Sequence, residues 1–426
     1  MNSAASAHPR VLVLGASGLV GRHLMRALAD AGVSAVGASY RAPHWRRIDM
    51  ARMTQARDWL DLVAPFDTVI NCVGILREQH AGQFDTLQRA APCALFDACA
   101  QLGGRRLIQI SALGSAPDAD SDYWRSKGAA EQALRASGLD YTIVRPSLVY
   151  APDGVSSAFF LSLASLPLLP VPLAHSALVQ PIHIDDLCAG LVRLVQGKTI
   201  GRRQWDAVGP RALTIGAYLA ALRDGMQAPP AKVVNLPLAL AAPLARVAGA
   251  FAASPLTPAT LHMLAACARG AGQADPAQGA SLLGRPQRDP SMFSARQQLA
   301  GAVMTWAVPA LRVAMALVWL VTAYVSWFVW PHAQSAHWLQ ACGVPAVLAE
   351  PTLLAASVLD GVIGLALLLR PRRWLWAMQL ALVAAYTVLI SIYLPEHWAH
   401  PYGPISKNLP ILVVLALMWR LHRKPN

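Results

Sequence analysis

Up to about residue 215 the chain alternates short β-branched apolar runs with longer stretches of helical period, the pattern of a parallel sheet covered on both faces. Strands are predicted at Arg10–Leu14, Ser34–Ala38, Thr68–Asn71, Arg106–Ser111 and Tyr141–Arg145, with helices over 83–102 and 124–138 between them. Residues 158–174 are nearly all apolar, but Pro167, Pro170 and Pro172 forbid a membrane-spanning helix. A loop that covers a substrate or rests on lipid is expected there. Residues 236–266 are again apolar and helical in pattern, broken at Pro237, Pro243, Pro255 and Pro258. The stretch 268–298, rich in Gly, Gln, Pro and Arg, reads as a connector.

Beyond it the pattern changes. Val313–Val329 is uncharged, Leu353–Leu369 carries only Asp360, and Trp374–Leu394 carries no formal charge. Crossing lipid takes about 20 apolar residues, so these three runs are predicted spans. A fourth, Leu409–Trp419, is short unless it starts near Ile405. The expected class is α/β: a Rossmann-like doubly wound parallel sheet followed by a four-helix transmembrane bundle. Its divisions are 1–290 (substrate-side elements from about 151), a connector at 291–303, and a membrane domain at 304–426.

Loop charges predict the orientation. Arg285, Arg288 and Arg296 precede the first span, Arg370, Arg372 and Arg373 follow the second, and Arg420, Arg423 and Lys424 follow the fourth. Residues 331–352 contain no Lys or Arg, and 395–408 contain only Lys407. By the positive-inside rule this multi-pass chain holds both termini and its first domain on the cytoplasmic side of an inner membrane. Asp360, Lys407 and Asn408 are costly in lipid and are functional candidates there. An Asp360–Lys407 pair would ease that cost, and snorkelling of Lys407 to the interface is the alternative.

Composition sharpens the picture. A chain of 426 residues exceeds one ordinary core, and 55% hydrophobic with 14% charged residues suits a partly membrane-embedded protein. The net charge of +13 is scattered or flanks apolar spans, which argues against nucleic acid. Cys72, Cys93, Cys99, Cys188, Cys267 and Cys342 form no CxxC pair, so buried thiols are expected rather than disulfides or zinc. No metal is expected on His397 and His400 either. Met1–Arg10 lacks an apolar core, so no cleaved signal peptide is expected.

The candidate chemistry begins at Val11-Leu-Val-Leu-Gly-Ala-Ser-Gly-Leu-Val-Gly21. A strand, glycines 15, 18 and 21, and then a helix let a backbone approach a pyrophosphate at a helix N-terminus. After the second strand, Val36-Gly-Ala-Ser-Tyr-Arg41 offers Ser39 and Arg41 with no carboxylate before Asp49. A hydroxyl and a guanidinium favour a 2′-phosphate, hence NADP(H), with NAD(H) the alternative. Asp49 either caps the adenine side or is simply solvated. Tyr123 and Lys127 are spaced i, i+4 on one predicted helix face, where an ammonium would lower the phenol pKa towards use at pH 7. Ser111, ending its strand, is placed to hydrogen-bond a substrate carbonyl. Asn71 could orient the nicotinamide or relay a proton.

These segments, together with Val73-Gly-Ile-Leu76, Ile108-Gln-Ile-Ser-Ala-Leu-Gly114, Ile143-Val-Arg-Pro-Ser-Leu-Val-Tyr150 and Gln180-Pro-Ile-His-Ile-Asp-Asp186, carry a resemblance. Residues 10 to about 190 resemble atypical or extended short-chain dehydrogenases/reductases, in the branch that includes the nucleotide-binding accessory subunit of respiratory complex I. Ala151 stands where many of them carry Gly. The last third resembles the DoxX-like membrane family, most specifically at His400-Pro-Tyr-Gly-Pro-Ile-Ser-Lys-Asn-Leu-Pro410. The resemblance implies a cofactor held by Gly15, Gly18, Gly21 and Arg41, and the full expected cofactor set adds Ser17, Leu19, Val20, Ser39, Asp49, Val73 and Lys127. It also implies a catalytic set of Ser111, Tyr123, Lys127 and Asn71. The implied activity is a membrane-anchored oxidoreductase acting on a small lipophilic carbonyl, hydroxyl or quinone, in a lipid bilayer and near respiratory-chain components. A non-catalytic nucleotide-binding assembly or sensor subunit, or a nucleotide-sugar epimerase or dehydratase, are the alternatives.

Overall fold

The computed structural model describes residues 10–41, 44–197, 203–249, 257–399 and 405–422. His400, Arg423, Lys424 and the first nine residues, all used in the sequence reading, lie outside the described residues. Compact packing divides the chain into Met1–Ala302 and Val303–Asn426.

In the first unit, β1 (Val11–Leu14) is buried on both faces, as a central parallel strand must be. It is followed by α1 (Leu19–Asp30), β2 (Ala35–Ser39), β3 (Arg46–Arg47), α2 (Arg57–Val63) and β4 (Thr68–Asn71). Next come α3 (Gln83–Asp85), α4 (Ala91–Leu102), β5 (Arg106–Ile110), α5 (Asp122–Ala136) and β6 (Asp140–Pro146). After β7 (Val149–Tyr150), α6 (Val155–Ala164), β8 (Leu168–Pro172), β9 (Leu178–Val179), β10 (Ile182–His183) and α7 (Ile184–Gln196), β11 (Arg203–Ala207) completes the main sheet. The strand order is β11-β6-β5-β4-β1-β2-β3, all pairs parallel. Leu14 pairs with Ala38 on one side and Asn71 on the other, so the order reverses at β1 and a crevice opens at its carboxyl end. Strand alternation splits the core in two. Leu12 and Leu14 pack with Trp59, Leu95 and Phe96 on one face, and Val11 and Val13 pack with Leu24, Leu187 and Trp205 on the other.

Two expectations need correction. Residues 158–174 are not a loop but the second half of α6 and then β8, which pairs in parallel with β13 (Lys232–Leu236), Leu169 opposite Val233. Pro170 and Pro172 fit because a two-stranded ribbon has a free edge where a missing N–H costs nothing. Nor is 268–298 a connector. After β12 (Leu213–Thr214), α8 (Ile215–Gly225), α9 (Leu238–Gly249) and α10 (Pro258–Ala268), it forms α11 (Ala277–Leu283) and a 3-10 turn at Pro290–Met292. Arg285 Nη2 donates to Asp186 Oδ1 (2.6 Å) and the Arg288 backbone N–H to Asp186 Oδ2 (2.7 Å). Asp186 is fully buried, so these partners are what make its charge tolerable. Phe293 is buried and stacks on Tyr150, 5.0 Å between ring centroids.

The helix α12 (Gln298–Tyr324, continuing to Val329) begins in the first unit and runs into the second, which also contains α13 (His332–Ala341), α14 (Ala346–Leu369), α15 (Arg373–Tyr393) and α16 (Asn408–Leu421). Among the described residues three helices are long and apolar enough to cross a membrane: Gln298–Val329, Ala346–Leu369 and Arg373–Tyr393. The helix α16 is apolar, but its 14 residues reach only about 21 Å, short of a hydrocarbon core of about 30 Å. Asn408 Nδ2 donates to Thr387 Oγ1 (2.9 Å), tying α16 to α15. The Asp360–Lys407 pair is not formed. Asp360 is buried with its Oδ1 unpartnered among the described residues, whereas Lys407 is exposed.

One buried ion pair positions the helix that carries Tyr123 and Lys127. Arg145 on β6 donates through Nε to both Glu131 oxygens (2.8 and 3.1 Å) and through Nη2 to Ser115 O (3.1 Å). Glu131 on α5 is fully buried, and Arg135 Nη2 reaches it as well at 3.0 Å. Replacing Arg145 with Met should therefore leave a buried carboxylate with one half-exposed partner and cost on the order of 3 kcal/mol. Thermal unfolding of the purified full chain checks this, and an unchanged midpoint would contradict it.

Candidate functional site

The site is built on close backbone approach. Gly15 leaves β1 at φ +76°, in the left-handed region, and a Cβ there would lie 3.0 Å from Val73 Cγ2 and 3.1 Å from the Cys72 carbonyl carbon. Its N–H and that of Ala16 donate to Ala38 O at 2.8 and 3.1 Å, and the Gly18 N–H donates to Gly15 O at 2.9 Å. Gly21 is buried, and a Cβ there would stand 2.1 Å from Gly15 O. Only a hydrogen at that position lets α1 start this close to β1. Gly18 is the helix N-cap, extended and exposed, with no side-chain cap. The first amides of α1, at Leu19, Val20 and Gly21, therefore face an open anion position. The bend fits a dinucleotide pyrophosphate.

At the end of β2, Ser39 is buried and its hydroxyl is hydrogen-bonded to that of Ser17. The Arg41 N–H donates to Ser39 Oγ at 3.4 Å, and Arg47 on β3 is in register beside Ser39. Arg41, Arg46 and Arg47 are exposed and form no salt bridge among the described residues. Asp49 lies beyond β3, and its neighbours are local. Its carboxylate accepts from Ala51 N (3.3 Å) as the cap of the turn Met50–Arg52 and pairs with Arg52 at 3.4 Å.

A cavity of about 680 Å³ runs from Gly18, Leu19 and Val20 past Val73, Ser111, Tyr123 and Lys127. It continues among the apolar side chains of Phe159, Leu163, Val171, Leu219, Leu244 and Met263. Ser111 lines the cavity and is buried, and its Oγ has no hydrogen-bond partner among the described residues. Ser121 caps α5 through the Trp124 N–H (3.2 Å), which places Tyr123 in the first turn and Lys127 one turn on. Lys127 Nζ donates to Ile110 O (3.1 Å) and lies 5.8 Å from the Tyr123 ring centroid. Burial draws the Lys127 ammonium down to about 8 against the upward pull of Glu131.

The tyrosine corrects the sequence reading. Burial pushes the Tyr123 phenol above its ordinary value, and the ammonium does not offset it. The phenol is held as an O–H donor rather than poised near neutrality. Asn71 also departs from expectation. It is fully buried, donates through Nδ2 to Gln109 Oε1 (3.0 Å) and accepts from the Val73 N–H (3.1 Å), so it locks strand ends together and does not line the cavity. Cys72 does line it, but burial raises its thiol to about 12, which removes a thiolate nucleophile. The Ile110 carbonyl and the α9–α10 wall were not identified from sequence. A backbone acceptor has no sequence signal, and the apolar pattern at 236–266 marked the wall without saying what it covers.

Comparison with known proteins places this geometry. Residues 15–159 match the NAD(P)H-binding family and residues 316–416 the DoxX-like family. The chain is 32% identical to ceramide reductase of Caulobacter vibrioides over 201 residues, 45% of this chain and 62% of that one. It is 25% identical over 249 residues to NADH dehydrogenase (ubiquinone) 1 alpha subcomplex subunit 9, mitochondrial, of Arabidopsis thaliana, 55% of this chain and 61% of that one. The match thus spans about three fifths of the length of these curated relatives. A nucleoside-diphosphate-sugar epimerase from Staphylococcus aureus superposes with a TM-score of 0.52 at 18% identity, covering 67% of this chain and 99% of that one. A UDP-glucuronic acid 4-epimerase from Bacillus cereus, in complex with UDP-glucuronic acid and NAD, gives 0.50 at 17% identity, covering 68% and 99%. At these identities the two structures show the shared fold.

The glycine geometry makes a graded prediction. Gly21→Ala forces a Cβ against a backbone oxygen and should cost about 1–3 kcal/mol together with the stabilisation that NADPH confers. Gly18→Ala, whose Cβ would sit 3.1 Å from the same oxygen, should cost less. Thermal-shift assays with and without NADPH check the order. Equal behaviour of the two variants would contradict it.

Proposed function

We propose that this chain, an NAD(P)-binding Rossmann domain joined to a DoxX-like membrane domain, is a membrane-anchored NADP(H)-dependent reductase of a lipid-borne carbonyl. One observation carries the reading. Ser111, whose hydroxyl has no partner among the described residues, and the Tyr123 phenol line the polar end of a large, mostly apolar cavity. Such a pair can donate hydrogen bonds and a proton to a carbonyl oxygen as it is reduced, and the same two groups would take the proton back in the reverse direction.

Gly15, Gly18, Gly21 and the first amides of α1 would hold the pyrophosphate. Ser39 and Arg41, with Arg47 beside them, would receive a 2′-phosphate, which supports NADP(H) over NAD(H). When bound, a reduced nicotinamide supplies hydride. The Ser111 Oγ–H donates to the substrate carbonyl oxygen and polarises it, and the Tyr123 O–H delivers its proton to that same oxygen as negative charge develops there. The Lys127 ammonium orients the cofactor's hydroxyl groups and keeps positive potential at the site. Similarity to a protein named ceramide reductase supports a lipid substrate, as does the apolar wall beyond Tyr123. The cluster Arg370, Arg372 and Arg373 between α14 and α15, with no Lys or Arg at 331–352, supports a cytoplasmic first unit at an inner membrane.

A second reading, a nucleotide-stabilised subunit of a respiratory assembly, is favoured by the 25% identity to the complex I subunit. The two readings separate at Tyr123. In the reductase, Tyr123→Phe lowers kcat for NADPH-dependent reduction of a long-chain ketone by about 10²–10⁴-fold while NADPH binding is retained. Wild-type protein that binds NADPH but turns over no carbonyl would favour the assembly subunit.

The lysine fixes the pH dependence. Its folded value of about 8 lies below the ordinary 10.5, so the ammonium is lost as pH rises through about 8. Reductive kcat/KM should be flat below that point and fall above it, and Lys127→Arg, which stays charged, should shift the falling limb upward. Stability runs the other way. The unfolded chain binds the proton more tightly, so the penalty for burying this cation is complete below about pH 8 and is relieved between about 8 and 10.5. A kcat/KM profile unchanged to pH 10 would contradict the assignment.

A further inference from the structure

The wall of the cavity is also an outer surface. Leu244 on α9 lines the cavity and is 55% exposed, so the cavity opens to the outside beside this helix. The sequence of α9, Leu-Ala-Leu-Ala-Ala-Pro-Leu-Ala-Arg-Val-Ala-Gly, carries no charge before Arg246. Its inner side, Ala241 and Ala245, packs on Leu261, while Leu238 and Leu240 are exposed without lining the cavity, Leu240 being 57% exposed, and Leu244 stands at the cavity's edge. A helix apolar on both sides is satisfied only if both sides meet an apolar medium. The β8–β13 ribbon adjoins this helix, Leu236 of β13 packing against the Ala241–Ala245–Leu261 cluster, and it too exposes apolar residues. Leu168 and Pro170 of β8 and Val234 of β13 are exposed on one face of the ribbon, with Lys232 opposite Leu168, and this face runs into the cavity at Pro170, Pro172 and Leu236.

We propose that this face of the first unit, α9 with the β8–β13 ribbon, lies in the interfacial layer of a lipid bilayer. It forms the portal through which an acyl chain passes from the leaflet into the cavity. Three observations select a bilayer as the occupant. The same polypeptide carries three helices long and apolar enough to cross a membrane, which tether this unit to a lipid surface. The exposed apolar face is continuous with the cavity lining at Leu244, so a chain leaving the leaflet need not cross water. Exposed Lys232, at the end of the ribbon face opposite Leu168, and exposed Arg246 of α9 offer cations where anionic headgroups would lie against an inserted apolar helix. The membrane contact stands on the surface itself. The portal role rests on the reading of the cavity as the substrate site.

The test uses the full chain in nanodiscs of phosphatidylcholine and phosphatidylglycerol. A fluorophore is placed at Leu240→Cys, with labelled wild-type protein giving the background from the native cysteines. Lipids carrying a doxyl quencher near the headgroup should reduce its emission about twofold or more. The same label at Asp30→Cys, exposed on α1, should be unaffected. Equal insensitivity of the two labels would overturn the proposal, and so would shielding at Leu240 that is the same in detergent and nanodiscs and indifferent to doxyl lipid, which would assign the face to a protein partner. Leu238→Asp with Leu240→Asp, neither lining the cavity, should slow NADPH-dependent reduction of a long-chain ketone embedded in the nanodisc about tenfold and leave a short water-soluble ketone unaffected. Equal slowing of both ketones would overturn the portal. Wild-type protein inactive on both would count against the reductase reading, and the quenching result would still decide the membrane contact.

Discussion

The closeness of α1 to β1 organises everything downstream of it. With Gly21 directly against the Gly15 carbonyl, no side chain intervenes between strand and helix, and the helix begins with its uncapped amides at the carboxyl edge of the sheet. That edge is also where the strand order reverses, so the N-terminal positive end of α1 and the ends of β4 and β5 face one crevice. A dinucleotide's phosphates and a reacting centre can therefore be served by one cleft.

Burial then sets the chemistry of that cleft. The environment that leaves Ser111 without a partner also raises the Tyr123 phenol and lowers the Lys127 ammonium. Desolvation disfavours the charged form of each group, so the cleft favours a neutral phenol and makes the ammonium easier to deprotonate. The Glu131–Arg145 pair beneath α5 keeps that helix in place. Its partners come from α5 and β6, so the face that carries Tyr123 and Lys127 is tied to the sheet by charge as well as by apolar packing.

Much of this was legible in the sequence because it rests on local rules. Four apolar residues followed by glycines at 15, 18 and 21, and a tyrosine and lysine one turn apart, specify their own geometry. What the sequence could not show depends on distant partners. The prolines of 158–174 suit a strand only because β13, some sixty residues on, provides the ribbon. Arg285 and Arg288 looked like membrane-flanking charges, yet they neutralise Asp186, about a hundred residues upstream. Asn71 ends its strand as expected, but Gln109 and the Val73 amide take its side chain away from the cavity. The phenol was expected to be lowered by its lysine, and burial reverses that sign. Desolvation is a property of the packed cleft, and the i, i+4 spacing does not contain it.

The most direct test of the account is ligand-dependent thermal unfolding of the purified full chain in detergent. At a concentration about 100 times its Kd, a nucleotide that binds only the folded state stabilises it by about 2.7 kcal/mol. NADPH should raise the unfolding midpoint clearly and NADH less, because Ser39 and Arg41 can meet a 2′-phosphate and no carboxylate stands at the end of β2 to hold free ribose hydroxyls. A midpoint unmoved by either nucleotide at millimolar concentration would contradict the account at its root.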